Sequence, residues 1–240
     1  KSVATTTDGV NYEINQAMTV ESDHFLRIPQ SINLRVNGPF TNKGYVLGDT
    51  TIDKSFKFSF PTIVTLTNWT NNETGTLTIS DNYTYDIEQT STNYGIINIT
   101  GGTMNTYNTF TNEFSDTNNI TLSSNGVLNT YDTFNNNSEA FINNTKGTMY
   151  IRGGCTFTNS GTLTLTNTTE LYVFGTFNNK DEALLYSNYT IFIDAGSFTN
   201  ENGAYIYNTG TGSTPQSFNV YSNGSFINDG YIPTCGEILC

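Results

Sequence analysis

At 240 residues the chain is long enough for one good-sized domain or one elongated array; Thr and Asn make up roughly a third of it, and charged residues only 12%. Aromatic residues at 13%, with Ile, Leu and Val throughout, exclude a disordered chain; strand formers mixed with the turn formers Asn and Gly predict many short strands and tight turns. A net charge of −12 with nine scattered Lys and Arg excludes a nucleic-acid surface and speaks against an anionic membrane, and no apolar run approaches the roughly twenty residues that span a bilayer.

Residues 1–36 carry no repeat. With "DHFLRIP" (Asp23 to Pro29) they read as an N-terminal cap and an irregular first coil, and with no signal-peptide pattern the sequence reads as a mature or excised segment. His24 is the single histidine and reads as a plain cap residue.

Residues 37–229 repeat. Phe40, Trp69, Phe110, Phe134, Phe157, Phe177, Phe198 and Phe226 are each followed two positions later by Asn: Asn42, Asn71, Asn112, Asn136, Asn159, Asn179, Asn200 and Asn228. The long gap from Trp69 to Phe110 predicts two turns, with "YGIINITGGTM" (Tyr94 to Met104) as an unmarked one. After each corner a Gly or polar turn leads into a short alternating strand: Gly75 to Ile79, Gly147 to Ile151, Gly161 to Leu165. A second short strand follows: Leu171 to Val173, Ile191 to Ile193, Phe218 to Val220. Three short strands and three turns per twenty-odd residues, with no helical period, predict a solenoid. One coil cannot bury its apolar face alone, but stacked parallel coils about 4.8 Å apart can.

The expected fold is therefore all-β: a right-handed parallel β-helix of about nine or ten coils, since parallel crossovers are almost always right-handed. Phe and the Asn two residues on share one side of the strand. Both point inward, Phe as an aromatic ladder and Asn as an amide ladder of the cross-β kind, which removes the cost of burying an amide. Residues 230–240, "GYIPTCGEILC", read as a C-terminal cap or the start of a further subdomain.

Sequons occur at Asn68, Asn72, Asn82, Asn98, Asn119, Asn136, Asn143, Asn167, Asn188 and Asn223. An Asn- and Thr-rich chain makes some by chance, yet the density suits a secreted glycoprotein. Asn136 is also a ladder position, and an inward Asn carries no glycan. A short disulfide between Cys235 and Cys240 suits an oxidising compartment, while Cys155 reads as a buried thiol.

The Gly-x-Phe-x-Asn corners, the Asn/Thr/Tyr richness, the acidity and the sequons together resemble the N-terminal domain of the hyphally regulated cell-wall proteins, adhesin-like wall proteins of Candida-type yeasts. The likeness covers roughly Gly38 to Cys240. It implies a β-helix head on the outside of the fungal cell wall. In the family a Ser/Thr-rich stalk follows, and a glycosylphosphatidylinositol anchor joins it to wall glucan; neither lies within these 240 residues. The partners implied are a host or abiotic surface and a glycan or protein ligand that the sequence does not specify, and the resemblance supplies no ligand or catalytic residue.

Other chemistries fit these residues less well. Polysaccharide hydrolysis needs carboxylates gathered on one face. Asp81, Asp86 and Glu88, or Asp181 and Glu182, or Asp194, share no recurring register and read as surface or turn acids. Arg152, with no obvious partner, reads as a surface Arg or a lone salt bridge. Neither a metal nor a cofactor is expected: four soft ligands for zinc are missing, and "GGTMNTY" and "GGCTFTN" match no calcium nonapeptide. An ice-binding face of Thr pairs fits locally at Thr65/Thr67, Thr76/Thr78 and Thr162/Thr164/Thr166, but the Met149 and Tyr205 coils lack the pair. Tyr172, Tyr189, Tyr205, Tyr207 and Tyr221 alternate with apolar residues and suit either flank covering or surface contact. The expected function is adhesion by a non-catalytic, monomeric head, and the alternative is a secreted polysaccharide-active β-helix enzyme, a lyase or hydrolase.

Overall fold

The computed structural model describes residues 5–6, 11–29, 33–49, 62–81, 83–113, 119–166, 169–188, 190–208, 218–221 and 223–232. Every regular element among them is a β-strand, and apart from the short Thr5–Thr6 strand, which runs antiparallel to Asn11–Ile14, the ladders are parallel. The chain forms the parallel β-helix expected from its repeat. Each coil lays down three strands in turn: one on a lateral face rich in aromatics, one at the Phe-x-Asn corner, and one in a separate nine-stranded sheet. One coil, for example, runs Val127–Thr130, Thr133–Asn136, Phe141–Asn144, and the next runs Thr148–Ile151, Thr156–Asn159, Thr162–Leu165.

The corner forms the interior column. Phe110, Phe134, Phe157, Phe177 and Phe198 are fully buried and stack on one another with ring centroids 4.5–5.2 Å apart. Two residues on, Asn42 donates from Nδ2 to Asn71 Oδ1 at 2.7 Å. The chain of amides then continues through Asn93, Asn112, Asn136, Asn159, Asn179 and Asn200 to Asn228, every link between 2.7 and 2.9 Å. The second Nδ2 hydrogen reaches the start of the nine-stranded sheet, as in Asn159 to Leu184 O and Asn179 to Tyr205 O. The ladder thus ties adjacent coils together and also pins the closing turn of each coil.

The coil hidden in the long Trp69–Phe110 gap is marked after all. Ser91 occupies the Phe position opposite Phe110, and Asn93 the Asn position opposite Asn112. Serine leaves a hole in the aromatic column, and the one tryptophan of the chain fills it: Trp69 leans across Ser91 to bring its ring centroid within 6.0 Å of Phe110, two coils away. The Trp69 backbone N–H donates to Ser91 Oγ at 3.3 Å, and Ser91 Oγ donates to Gln89 O.

Two further placements differ from the sequence reading. The alternation groups Gly147 to Ile151 with Gly75 to Ile79 and Gly161 to Leu165. Met149 in fact pairs with Leu128 and Leu171 on the aromatic face, whereas the other two strands lie in the nine-stranded sheet. Gly-Thr followed by alternation starts strands on both faces, and alternation carries no label for which. In addition, the first coil, expected to be irregular, stacks in register within the first 36 residues: Met18 lies opposite Phe40 and Val20 opposite Asn42. Val20 offers no amide, so Asn42 Oδ1 ends the ladder with no hydrogen-bond partner.

Glycine is required at two of the bends into the corner. A Cβ on Gly175 would collide with the carbonyl oxygens of Arg152 and Cys155, and one on Gly196 with that of Gly175. This is the physical content of the Gly in Gly-x-Phe-x-Asn.

Replacing Asn136 by Ala should cost about 2–4 kcal/mol in urea unfolding, because it strips partners from Asn112 and Asn159 inside the core and leaves a cavity. Trp69→Phe and Ser91→Phe should each destabilise by roughly 1–3 kcal/mol, through a void and through overpacking respectively. The double variant should recover most of the loss, giving a favourable coupling in a double-mutant cycle of at least about 1 kcal/mol.

Candidate functional site on the lateral faces

A β-helix of this kind buries its ladders, so any contact chemistry sits on outward-pointing side chains. On the aromatic face these alternate with core residues such as Tyr85, Met104, Leu128 and Met149. Strand pairing aligns Asp86, Asn105, Asn129, Tyr150, Tyr172 and Phe192 into one outward column. Just past the strand ends, a second column holds Glu88, Tyr107, Tyr131, Arg152 and Phe174, set by backbone bonds such as Tyr131 N to Thr106 O and Arg152 N to Thr130 O.

The sequence shows no obvious partner for Arg152, but the fold supplies one in Asn129. Its Nη2 donates to Asn129 Oδ1 at 2.5 Å; Asn129 Nδ2 donates to Asn105 Oδ1 at 2.8 Å; Asn105 Nδ2 donates to Asp86 Oδ1 at 2.8 Å. A cation and an anion three coils apart are joined through two amides in a single donor direction. The guanidinium also lies 4.3 Å from the Tyr150 ring centroid and 5.7 Å from that of Tyr131, within cation–π range. Asp86 is half-buried; burial pushes its carboxyl up, Asn105 draws it partly back, and the neighbouring charge of Glu88 adds to the rise. Glu88 is held elsewhere, in a two-pronged ion pair with Arg35 at 2.6 and 3.2 Å.

The rings of this face form stacks. Tyr107 and Tyr131 lie 4.7 Å apart and 15° from parallel, and both remain more than 40% exposed. Tyr150, Tyr172 and Phe192 form a second stack, in the strand column, at 5.1 and 4.8 Å. Stacked in this way, the tyrosines present ring edges and hydroxyl tips to solvent at the coil repeat. Of the other tyrosines singled out from sequence, Tyr207 stacks on Tyr186 at 5.1 Å in the nine-stranded sheet beside Tyr205, Tyr221 is half-exposed at the far end, and Tyr189 lies outside the described residues.

The remaining acids do not converge. Asp81, the Asp181–Glu182 pair and Asp194 are exposed in three separate turns, and the His24 ring bonds to the nearby Ser22 carbonyl oxygen. Among the described residues no three His, Cys, Asp or Glu side chains gather as a metal site. An open cleft of about 370 Å³ is lined by Lys43, Asn72, Glu73, Thr74 and Tyr94 and contains a single carboxylate.

The sequons divide by face. Asn136 is fully buried with its amide committed to the ladder. Asn98 and Asn143 point outward in one column of the nine-stranded sheet, separated by Thr121. Asn72 borders the cleft, Asn188 is half-buried and Asn223 exposed. Asn82 and Asn167, and the side chains of Asn68 and Asn119, lie outside the described residues, as do Cys235 and Cys240. No sequon falls on the strands of the aromatic face between Tyr83 and Ile193. Cys155 is a buried free thiol whose pKa is raised by that burial.

No protein-family model and no curated protein matches the chain. Among solved structures, the crystal structure of the TibC-catalyzed hyper-glycosylated TibA55-350 fragment is similar at 14% identity and a TM-score of 0.23, over 91% of this chain and 97% of that one. At that TM-score the likeness carries no functional argument.

Asp86 gives a pH test of the outward hydrogen-bond chain. Its raised folded-state pKa means that the native state disfavours the ionised form, a penalty present at neutral pH and absent once the carboxyl is protonated in both states. Asp86→Asn should therefore stabilise the fold against urea at pH 7, by no more than about 1 kcal/mol after solvent screening. The gain should vanish as pH falls through the carboxylate range.

Proposed function

We propose that the protein is a non-catalytic, adhesin-like head displayed outside the cell, and that it makes contact through the aromatic lateral face. The observation that carries this reading is the pair of partly exposed ring stacks, Tyr107 with Tyr131 and Tyr150 with Tyr172 and Phe192, on a face whose strands hold no sequon. Aromatic and arginine side chains are the usual anchors of recognition surfaces, and a solenoid offers them along a rigid flank. Placement in the fungal wall family of hyphally regulated proteins belongs to the same proposal, supported by the Gly-x-Phe-x-Asn corners and the sequon density; with it come the wall location, attachment to glucan through a further segment, and action as a monomer.

A second reading retains one specific support. Asp86, half-buried with a raised pKa beside Glu88, is the type of group that acid catalysis uses. In a polysaccharide-active enzyme it would protonate a glycosidic oxygen.

The two readings separate on one preparation. Beads coated with the domain should adhere to epithelial cells or plastic, and Tyr107→Ser with Tyr131→Ser should lower adhesion about tenfold, the effect of a modest hot spot. Tyr207→Ser, on the other sheet, should leave it unchanged. Incubation with pectins and glucans should release no reducing ends or unsaturated products. Turnover abolished by Asp86→Asn would replace the adhesive reading with the enzymatic one.

A further inference from the structure

Phe141 is exposed where the packing of the coils gives no reason for it. It opens the strand Phe141–Asn144 of the nine-stranded sheet, with coils stacked on both sides, and 43% of its surface meets solvent. Among the described residues the other phenylalanine so exposed is Phe25, and Phe25 stacks on Tyr45 at 4.8 Å. Phe141 meets no ring among the described residues; its partner in the next coil is Thr162.

Two residues on, Asn143 leaves the same side of the strand and is also exposed. Asn143, Asn144 and Thr145 form a sequon, and the ring and the amide stand about 6.7 Å apart along the strand. The outward direction is fixed by the residues between and after them. Ile142 and Asn144 are buried, and the Asn144 side chain donates to Gly147 O at 3.1 Å and accepts from Gly147 N at 2.8 Å. Strand pairing sets Thr121 and Thr164 on either side of Asn143. Short flanking side chains leave room above the ring and the amide together.

The other described sequons lack this pairing. Asn136 follows Phe134, but both are inside. Asn72 follows Thr70 and Asn98 follows Ile96, neither of them a ring. Asn188 follows Tyr186, whose ring stacks on Tyr207 at 5.1 Å, and its own Oδ1 is enclosed. Tyr221 and Asn223 keep the spacing beyond the end of a strand, in the last described coil.

We propose that Asn143 carries an N-linked glycan whose first N-acetylglucosamine folds back onto the Phe141 ring. Glycan addition takes place on the secretory route, so the assignment rests on the extracellular reading above. In the transfer, Asn143 Nδ2 displaces a polyprenyl pyrophosphate from C1 of the donor sugar. The C1–N bond forms as the C1–O bond breaks, the pyrophosphate leaves with the electron pair, and one amide proton passes to solvent. A pyranose has a face of C–H groups, and the negative face of an aromatic ring attracts such groups as water is released from both. The sugar thus covers the exposed ring, and the ring holds the first sugar against a rigid wall.

The test is glycopeptide mass spectrometry and thermal melting of the 240-residue protein secreted from yeast. Asn143 is expected to carry sugar, and trimming to a single N-acetylglucosamine should leave the melting temperature unchanged. Asn143→Gln should lower it by about 2–4 °C. Phe141→Thr should lower it by a similar amount in the glycosylated protein and change it little when combined with Asn143→Gln. Phe141→Tyr keeps a ring and should melt as the wild type does. Equal effects of Phe141→Thr with and without the glycan overturn the contact. An empty Asn143 beside other occupied sequons overturns the inference alone, and sugar at no sequon overturns it together with the extracellular reading.

Discussion

The buried amide ladder is the constraint on which the rest of the structure depends. A primary amide has two donor hydrogens and one acceptor oxygen in a plane, and burying it unpaired costs several kcal/mol. Stacked at the coil repeat, each Asn gives one hydrogen to the next Asn and the other to a turn carbonyl, so almost every buried group is paired. The arrangement works only in one register. A one-residue slip would turn Phe and Asn outward and bring Thr into the core. Asn42 marks the limit of the device, because Val20 in the preceding coil has no hydrogen to give.

With the corner fixed, the other positions need only keep an apolar residue inside and a strand-compatible residue outside. The aromatic column tolerates a missing ring when a neighbour compensates in volume, as Trp69 does above Ser91. On the outside, Arg152, Asn129, Asn105 and Asp86 build a shorter hydrogen-bonded column that begins and ends in charge. It uses the same geometry as the inner ladder, with ionic ends in place of a long run. The cost of the arrangement falls on Asp86, whose carboxyl is held where burial disfavours its charge.

Outward chemistry among the described residues is spread over several faces, beside the open cleft lined by Lys43, Asn72, Glu73, Thr74 and Tyr94. One flank stacks tyrosines, one sheet carries the outward sequons Asn98 and Asn143, and the corner presents short hydroxyl and amide side chains. The acids that a catalytic reading would gather are dispersed among turns, apart from Asp86 and Glu88, and Glu88 is occupied by Arg35. This division follows from the fold, since a solenoid offers long flanks more readily than a deep cleft.

By itself the sequence determined the fold class and the inward direction of Phe and Asn, because a buried amide two residues from a buried ring has few other solutions. Other features were decided only by the tertiary structure. Ser91 and Asn93 carry no ring to announce their coil, and Met18 and Val20 carry neither member of the motif. The Met149 strand reads like its counterparts on the other sheet, because alternation reports a period of two and is silent about which wall the strand joins. Arg152 finds Asn129 from 23 residues earlier in the chain, and Asp86 finds Asn105 from 19 residues later. Coil length varies from turn to turn, so no fixed spacing could have paired them; the stacking of whole coils places them side by side.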